Sequence, residues 1–438
     1  MLSLVWFKRD LRVIDHPALA LAAAQGGVLP VYIVEPGLWL QPDASARQWD
    51  FVAESLVELR RDLAELGQPL IVREGDAVTV LARLHAKHKV DQILSHVEAG
   101  TDWSIARNAR VRAWAGDTGV PWVEVSQSGA GPLADPPALT PLFEGTGGVP
   151  TARSLKLAED RCPYRQTGGR AAAELALDRF LSSRAQTYDP AAMPALTAER
   201  LSSRLSPYLA WGVVSSRDVA QRVAQEKSAR RGQRAWATGL RRFDKCLRRR
   251  DPGATALADT HEDDIPDAQR LAAWSAGETG VPFVDACLRY LRATGWLEAR
   301  ARAVVAGFGV HHLRLGAEAV GLHLARSCVD YDPAILRHEM SRLTQGRIID
   351  PITMGRKLDP DGGFTRRWLP ELAPVPGDFL HTPWFWPSAR EALNGRYPEP
   401  LVDPASAARA AKARMVTFAR RIPAAPRRAA LGQMALDL

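Results

Sequence analysis

The stretch TGVPFVDACLRYLRATGWLEARAR (residues 279–302) carries the reading of the fold. It is a turn, a helix, a second turn holding Trp296, and the start of another helix. Arg300 and Arg302 stand two apart on that last helix and point to different sides. One is placed to face a buried acid and the other an outer surface, unless both are solvated. Downstream lies DYDPAILRHEMSRL (330–343), in which Asp330, Asp332, Arg337, His338, Glu339 and Arg342 are ionisable. It directly follows the apolar helical pattern GLHLARSCV (321–329). So much ionisable chemistry beside a core is rare without a functional reason.

Outward from this stretch, helical patterns fill the second part of the chain: AAAELALDRFLSSR, SSRDVAQRVAQEKSA, AQRLAAWSA, EARARAVVAGFGVHHL and AEAVGLHLARSCV. The N-terminal part alternates instead. LSLVWF, VLPVYIV, PLIVR, DQILS and PWVEVS read as short strands, with helical patterns between them, clearest in RQWDFVAESLVELRRDLAEL (47–66). Five strands with helical crossovers predict a doubly wound parallel sheet. The fold expected is α/β plus all-α: residues 1–128 Rossmann-like, 129–168 a connector rich in Gly, Pro and Ser, and 169–438 helical. GTGG (145–148) has no strand before it and no helix directly after it, so it is not a dinucleotide fingerprint. The segment 350–387, rich in proline and tryptophan, is expected to pack as an ordered cover over Trp368, Trp384 and Trp386.

Charge and composition exclude some classes. No uncharged apolar run approaches the roughly 20 residues that span a bilayer, and the N-terminus is too soon charged for a signal peptide. A cytosolic, monomeric protein without membrane contact is expected. The net charge of +8 is mostly arginine, grouped in RRFDKCLRRR (241–250), RRW (366–368) and ARRIPAAPRRAA (419–430). That suits a polyanionic partner, and it equally suits a codon bias. Cys162, Cys246, Cys287 and Cys328 lack metal-site spacing, and neighbouring His311 and His312 point about 100° apart. No metal is expected. SSRLSPYLAWG (202–212) sets three serines and a glycine around a helix start, which makes either an anion site or plain capping.

Taken together, VWFKRDLRVIDHPAL (5–19), SSRLSPYLAWGVVS (202–215), GVPFVDACLRYLRATGWLEARAR (280–302), LDPDGGFTRRWLPEL (358–372) and HTPWFW (381–386) resemble the DNA photolyase/cryptochrome family over nearly the whole chain. The resemblance implies an antenna domain followed by a helical domain holding a U-shaped FAD, with room for a second, antenna chromophore. It implies a deoxyribodipyrimidine photolyase-type carbon–carbon lyase acting by light on UV-damaged DNA, double- or single-stranded. Ser202, Ser203, Leu205 and Ser206 match the phosphate-binding turn. Arg302 and Asp330 match the ion pair beside the isoalloxazine, Asp332 an acid near the ring and ribityl chain, and Arg241 an arginine near the cofactor. Arg184, Arg300 and Arg347 match basic positions facing the DNA backbone.

The chain also departs from the pattern. Leu336 aligns opposite flavin N5. Met340 and Ala317 take the places of electron-relay tryptophans, with Trp236, Trp274 and Trp296 as candidates for a detour. Arg342 stands where a tryptophan stacks on the lesion, and is a candidate DNA contact. Ala237 replaces a lesion-contacting glutamate, Gly239 or Leu240 a tryptophan, and Phe180 a tyrosine on FAD. The alternatives are a cryptochrome-like light sensor or other flavoprotein that no longer repairs, and a nucleotide-binding α/β module with a helical interaction domain.

Overall fold

The computed structural model describes residues 1–98, 100–127, 133–143, 145–248, 267–345 and 348–421. Five parallel strands, β1 (Leu2–Phe7), β2 (Gly27–Val34), β3 (Ile71–Glu74), β4 (Gln92–His96) and β5 (Trp122–Val125), lie in the order β3-β2-β1-β4-β5. Leu4 pairs with Leu29 on one side and Ile93 on the other. All five strands are those expected from the apolar runs. The central strands β1 and β2 are buried on both faces, as a doubly wound sheet requires.

The two faces of β1 serve different cores, because successive side chains point to opposite sides. Leu4 and Trp6 join Leu29, Val31 and Ile33 beneath the helices Ala77–His88 and Asp102–Thr118. Val5 and Phe7 belong to a second core that continues through Trp39, Trp49 and Trp211 into the helical part. The sheet and the helices thus share one packed interior. The connector runs against the α/β part: Leu139 N–H donates to Leu66 O (2.6 Å) and Trp49 Nε1 to Pro150 O (3.0 Å). GTGG lies beside the edge strand, where Val72 N–H donates to Thr146 O (2.7 Å). It covers an open edge and is no strand-to-helix phosphate turn.

After residue 169 every described element is helical. The quoted stretch forms the helices Pro282–Thr294 and Ala299–Gly307, separated by Gly295 at φ +67°. Asp285 anchors the first of them. Buried, it accepts from Thr279 N (2.8 Å), Thr279 Oγ1 (2.6 Å), Gly280 N (3.0 Å) and Tyr397 Oη (2.6 Å). The segment 350–387 is ordered as expected, but it packs through Leu369, Leu372, Val375 and Leu380. Trp368, Trp384 and Trp386 are only half-buried. Cys287 and Cys328 are buried free thiols.

Burial also sets an acid sensitivity. It pushes His16, His312 and His323 down to about 4, and Asp285 up to about 6. Between pH 6.5 and 4 the unfolded chain takes up protons on three histidines that the folded chain refuses. Stability therefore falls as pH falls through that window. Asp285, and Glu35, which burial raises to about 7, act in the opposite sense between those values and their ordinary ones, and offset two of the three. Unfolding free energy is expected to drop by about 1–2 kcal/mol per pH unit at its steepest, measured by urea titration from pH 7 to 4. A flat profile would contradict this.

Candidate cofactor cavity

Two facing helices build the cavity. Glu298 caps the first by accepting from Arg300 N (3.0 Å) and Ala301 N (3.4 Å). That fixes its phase, so Ala299, Arg302, Ala303 and Ala306 share one face. Asp332 caps the helix Pro333–Gln345 by accepting from Ala334 N (3.1 Å) and Ile335 N (3.2 Å). Leu336, Glu339, Met340 and Leu343 then face the first helix at the same spacing. The small alanines leave room, and the cavity measures ≈ 430 Å³, with Arg300 and Arg342 also on its wall.

Arg302 is the charge at its centre. Its Nη2 lies 3.5 Å from Asp330 Oδ2 and donates to Leu297 O (3.2 Å). Its Nε lies 3.8 Å from Glu339 Oε2. Burial alone would weaken its hold on the proton, but the charges of Glu339 and then Asp330 outweigh burial and raise its pKa.

The turn at 202–206 joins this site through the segment 296–302. Trp296 Nε1 donates to Ser206 Oγ (3.1 Å), and the Arg204 guanidinium lies 4.1 Å over the Trp296 ring. Arg204 sits at φ +59°, a region non-glycine residues rarely enter outside functional or strained sites. The helix that follows, Ser206–Ala210, is only five residues long, so side chains offer more to an anion than its dipole does.

Several buried polar atoms here lack a hydrogen-bond partner: Ser202 Oγ, Arg204 Nη1, Arg302 Nε and Asp330 Oδ1. Folded proteins leave few such atoms without a ligand or water to meet them. Donors at the turn suit phosphates. The Arg302–Asp330 pair and the apolar wall of Leu336 and Met340 suit a flat polar ring. The residues present fit FAD.

The remaining predicted positions divide. Ser203 Oγ accepts from Leu205 N (3.4 Å) within the turn, and Leu205 is buried. Asp332 caps its helix and lines a crevice of ≈ 440 Å³ with Arg9, Arg12 and Arg217, between the sheet and the helices. Arg241 is not brought to the Arg302 cavity. It is solvent-exposed, folds back on Ala237 O (3.1 Å), and shares a surface hollow with Lys227 and Arg234. Arg184 donates to the carbonyls of Arg179, Arg200 and Ala176, and Arg300 to those of Ala191 and Met193. Their guanidinium groups hold backbone. Arg342 is exposed at the cavity, and Arg347 lies outside the described residues.

Trp236, Trp274 and Trp296 do not form a chain. Trp236 lies under Arg230 (3.6 Å), and Trp274 donates to Val305 O (3.1 Å) inside the core. Trp296 instead joins Tyr290 (6.3 Å), which meets Trp368 (5.3 Å), which meets the exposed Tyr164 (6.5 Å). Gly239 has a plain packing reason: a Cβ there would sit 1.6 Å from Ala185 O.

Sequence reading missed the place of Arg204, the inward direction of Glu339, and a crevice at the sheet. That crevice lies at the carboxyl ends of β1, β2 and β4, where the strand order reverses. Trp6, Tyr32, Trp39 and Trp211 wall it. Arg107 pairs there with Glu35 and with Glu98 (2.8 Å). Burial still pushes Glu35 up to about 7, more than Arg107 pulls it down.

Beneath the crevice, Asp10, His16 and His96 are, among the described residues, the one group close enough to hold a metal. His16 Nδ1 accepts from Leu19 N (3.0 Å), which leaves its proton on Nε2, 3.1 Å from Asp10 Oδ2. A metal on Nε2 would push that proton onto Nδ1, against the Leu19 N–H. The group is a hydrogen-bonded network, into which Lys8 N also donates (2.6 Å to Asp10 Oδ1).

Comparison with known proteins covers both halves. A model of the DNA photolyase family matches residues 3–135, and a model of the FAD binding domain of DNA photolyase matches residues 231–417. The chain is 27% identical to a cryptochrome DASH of Natronomonas pharaonis, over 92% of this chain and 98% of the other. It is 28% identical to a deoxyribodipyrimidine photo-lyase of Vibrio cholerae, over 92% and 96%. Among solved structures, an archaeal photolyase from Sulfolobus tokodaii with two FAD molecules superposes with a TM-score of 0.75 at 24% identity, over 95% of this chain and 100% of that one. With its strand order, its helical cavity and both family segments in their expected places, this chain belongs to the DNA photolyase/cryptochrome family of FAD-binding proteins.

Proposed function

We propose that the protein holds FAD non-covalently in the Arg302 cavity and uses it for light-driven electron transfer to UV-induced pyrimidine lesions in DNA, as a carbon–carbon lyase. In this reading residues 1–128 are an antenna domain, 129–168 a connector and 169–438 the cofactor domain. The observation that carries it is Arg302 held against Asp330 at the floor of a cavity with an alanine wall. Bound FAD supplies light absorption and the transferable electron. Ser202 and Arg204 offer the donors that phosphates need. Arg302 and Asp330 orient a polar ring edge, and Leu336 and Met340 exclude water while offering it no donor.

The protein is expected to purify with FAD. Replacing Arg302 by Ala leaves Asp330 and Glu339 facing one another without a cation, at a cost of about 3–5 kcal/mol, and should release the flavin. Absorption at 450 nm after denaturation reads the content. A colourless wild-type protein that takes up no FAD on incubation would refute the reading.

The DNA contact divides between two kinds of arginine. Arg342 is exposed and free to meet a phosphate at the cavity mouth, with Arg347 beyond it in sequence. Arg184 and Arg300 serve mainly to hold backbone carbonyls. Arg342→Ala is expected to lower the slope of log affinity against log salt by about 0.7–0.9, the share of one phosphate. Arg184→Ala should lower thermal stability and leave the slope alone. The reverse pattern would move the DNA face elsewhere.

The crevice at the strand ends is the place for a second, antenna chromophore, although at ≈ 50 Å³ it must widen to take one. Its aromatic walls and the Glu35–Arg107 pair favour a flat, hydrogen-bonding ring. Filling it with Ser104→Trp should remove any second chromophore, detected by extraction and chromatography, without altering FAD content. Equal content in both proteins would exclude the site.

A non-repairing sensor is the second reading, and Gly239 favours it. The helix Arg234–Arg248 meets the 185–187 backbone so closely there that no side chain fits at 239, and Leu240, the other position aligned with the lesion-contacting tryptophan, is fully buried. Illuminating chemically pre-reduced protein with thymine-dimer oligonucleotides separates the two. Dimer splitting supports repair, and its absence supports sensing.

A further inference from the structure

The arginines between 217 and 248 take no part in the Arg302 cavity. From Ser216 to Arg248 stand eight arginines and two lysines against three acids, a net of +7, where the whole chain carries +8. These residues form two packed helices, Ser216–Ala229 and Arg234–Arg248. The second is sorted by face. Trp236, Gly239, Leu240, Phe243 and Leu247 are buried. On the opposite side Arg234, Arg241, Lys245 and Arg248 fall within about 40° of one line, roughly 21 Å long. All four are exposed. The single acid of this helix, Asp244, meets Lys227 (3.2 Å) and Arg248 (3.3 Å). Arg241 donates only within its own helix, to Ala237 O (3.1 Å) and Thr238 Oγ1 (3.4 Å). Among the described residues no acid pairs with Arg234 or Lys245. A helix that merely faces solvent gains by setting acids three or four residues from its bases, whereas here 241, 245 and 248 repel one another.

We infer that the helix Arg234–Arg248 is a landing surface for the phosphate backbone of duplex DNA, independent of any lesion and apart from the cavity mouth. The inference rests on the DNA reading above and not on the FAD site. Arginine, three of the four cations, is the side chain best shaped for phosphate. Beside them the helix exposes only Ala235, Ala237 and Cys246 as apolar residues. It has no large apolar side chain to enter a lipid interface or to anchor a protein partner. A straight row of cations meets phosphates without reading bases, so it takes any sequence. Contacts of that kind let a protein slide along a duplex, which a search for rare lesions requires.

The test is fluorescence anisotropy of a labelled, undamaged duplex over a salt series, with the full chain. Replacing all four by Gln (Arg234→Gln, Arg241→Gln, Lys245→Gln, Arg248→Gln) is expected to lower the slope of log affinity against log salt by about 3–4, at roughly 0.9 for each phosphate. Arg234→Lys, Arg241→Lys and Arg248→Lys together keep the charge and should keep the slope. Arg61→Gln, Arg83→Gln, Lys87→Gln and Arg110→Gln remove the same charge from exposed positions of the α/β half and should also keep it. If the fourfold Gln variant does not fold, Arg234→Gln with Lys245→Gln carries half the expected change. Equal slopes in wild type and the Gln variant overturn the inference, and a slope that still falls with Arg342→Ala leaves the DNA reading standing. Equal losses from both charge-matched variants overturn it as an effect of net charge alone. Tighter binding to anionic lipid vesicles than to duplex overturns it in favour of a membrane surface. A wild-type protein that binds no duplex overturns both.

Discussion

Everything in the cavity depends on how the loop 328–331 is held. Cys328 O accepts from Gln48 Nε2 (3.0 Å), and Val329 N–H donates to Gly295 O (2.8 Å). Val329 O accepts from Trp211 Nε1 (2.9 Å), Tyr331 O from Arg9 Nη1 (2.8 Å), and Tyr331 Oη donates to Asp43 (2.8 Å). Asp330 sits in the middle of these ties. Its carboxylate is fixed before any ligand arrives, and Arg302 is fixed by it in turn. An ion pair in a buried setting is favourable only when geometry is imposed from outside. Here the imposing residues come from both halves of the chain.

That sharing explains why the α/β half cannot be regarded as an appendage. Arg9 and Trp211 stack at 4.0 Å across the junction. Gly212, at φ +64°, lets the backbone of Arg9 approach to a distance that a Cβ would block. Arg12 donates to Gly212 O (3.1 Å), and Ser215 Oγ to Asp15 (2.6 Å). The strand ends are thus tied to the loop around Asp330 by a few direct contacts.

The fold was legible because it rests on periodicity. Leu4 and Trp6 alternate with Val5 and Phe7, and the helix Ala46–Glu65 repeats its apolar face within one residue of the expected bounds. The site was legible where residue types are unusual for their surroundings, as with Asp330 after an apolar helix. It was illegible where function depends on rotation or on use. Nothing in the local sequence says that Arg184 spends its donors on three carbonyls, or that Arg241 turns to solvent. Glu339 was visible as a charge, but its inward direction follows from the capping geometry of Asp332, which only coordinates reveal. Arg204 was hidden for a related reason, since a left-handed arginine has no residue-type signature.

Gly239 closes a path as well as packing a helix. The helix Arg234–Arg248 and the turn Ala185–Thr187 meet through backbone, with Ala185 O where a side chain would begin. A large residue at 239 would demand that the turn retreat, and the turn is held by Tyr188 and Phe180 packed against Phe243. No single substitution can accomplish both. The contact acts as an interlock: a larger residue at 239 and a displaced turn at 185–187 are tolerable only together, so either change alone strains the packing.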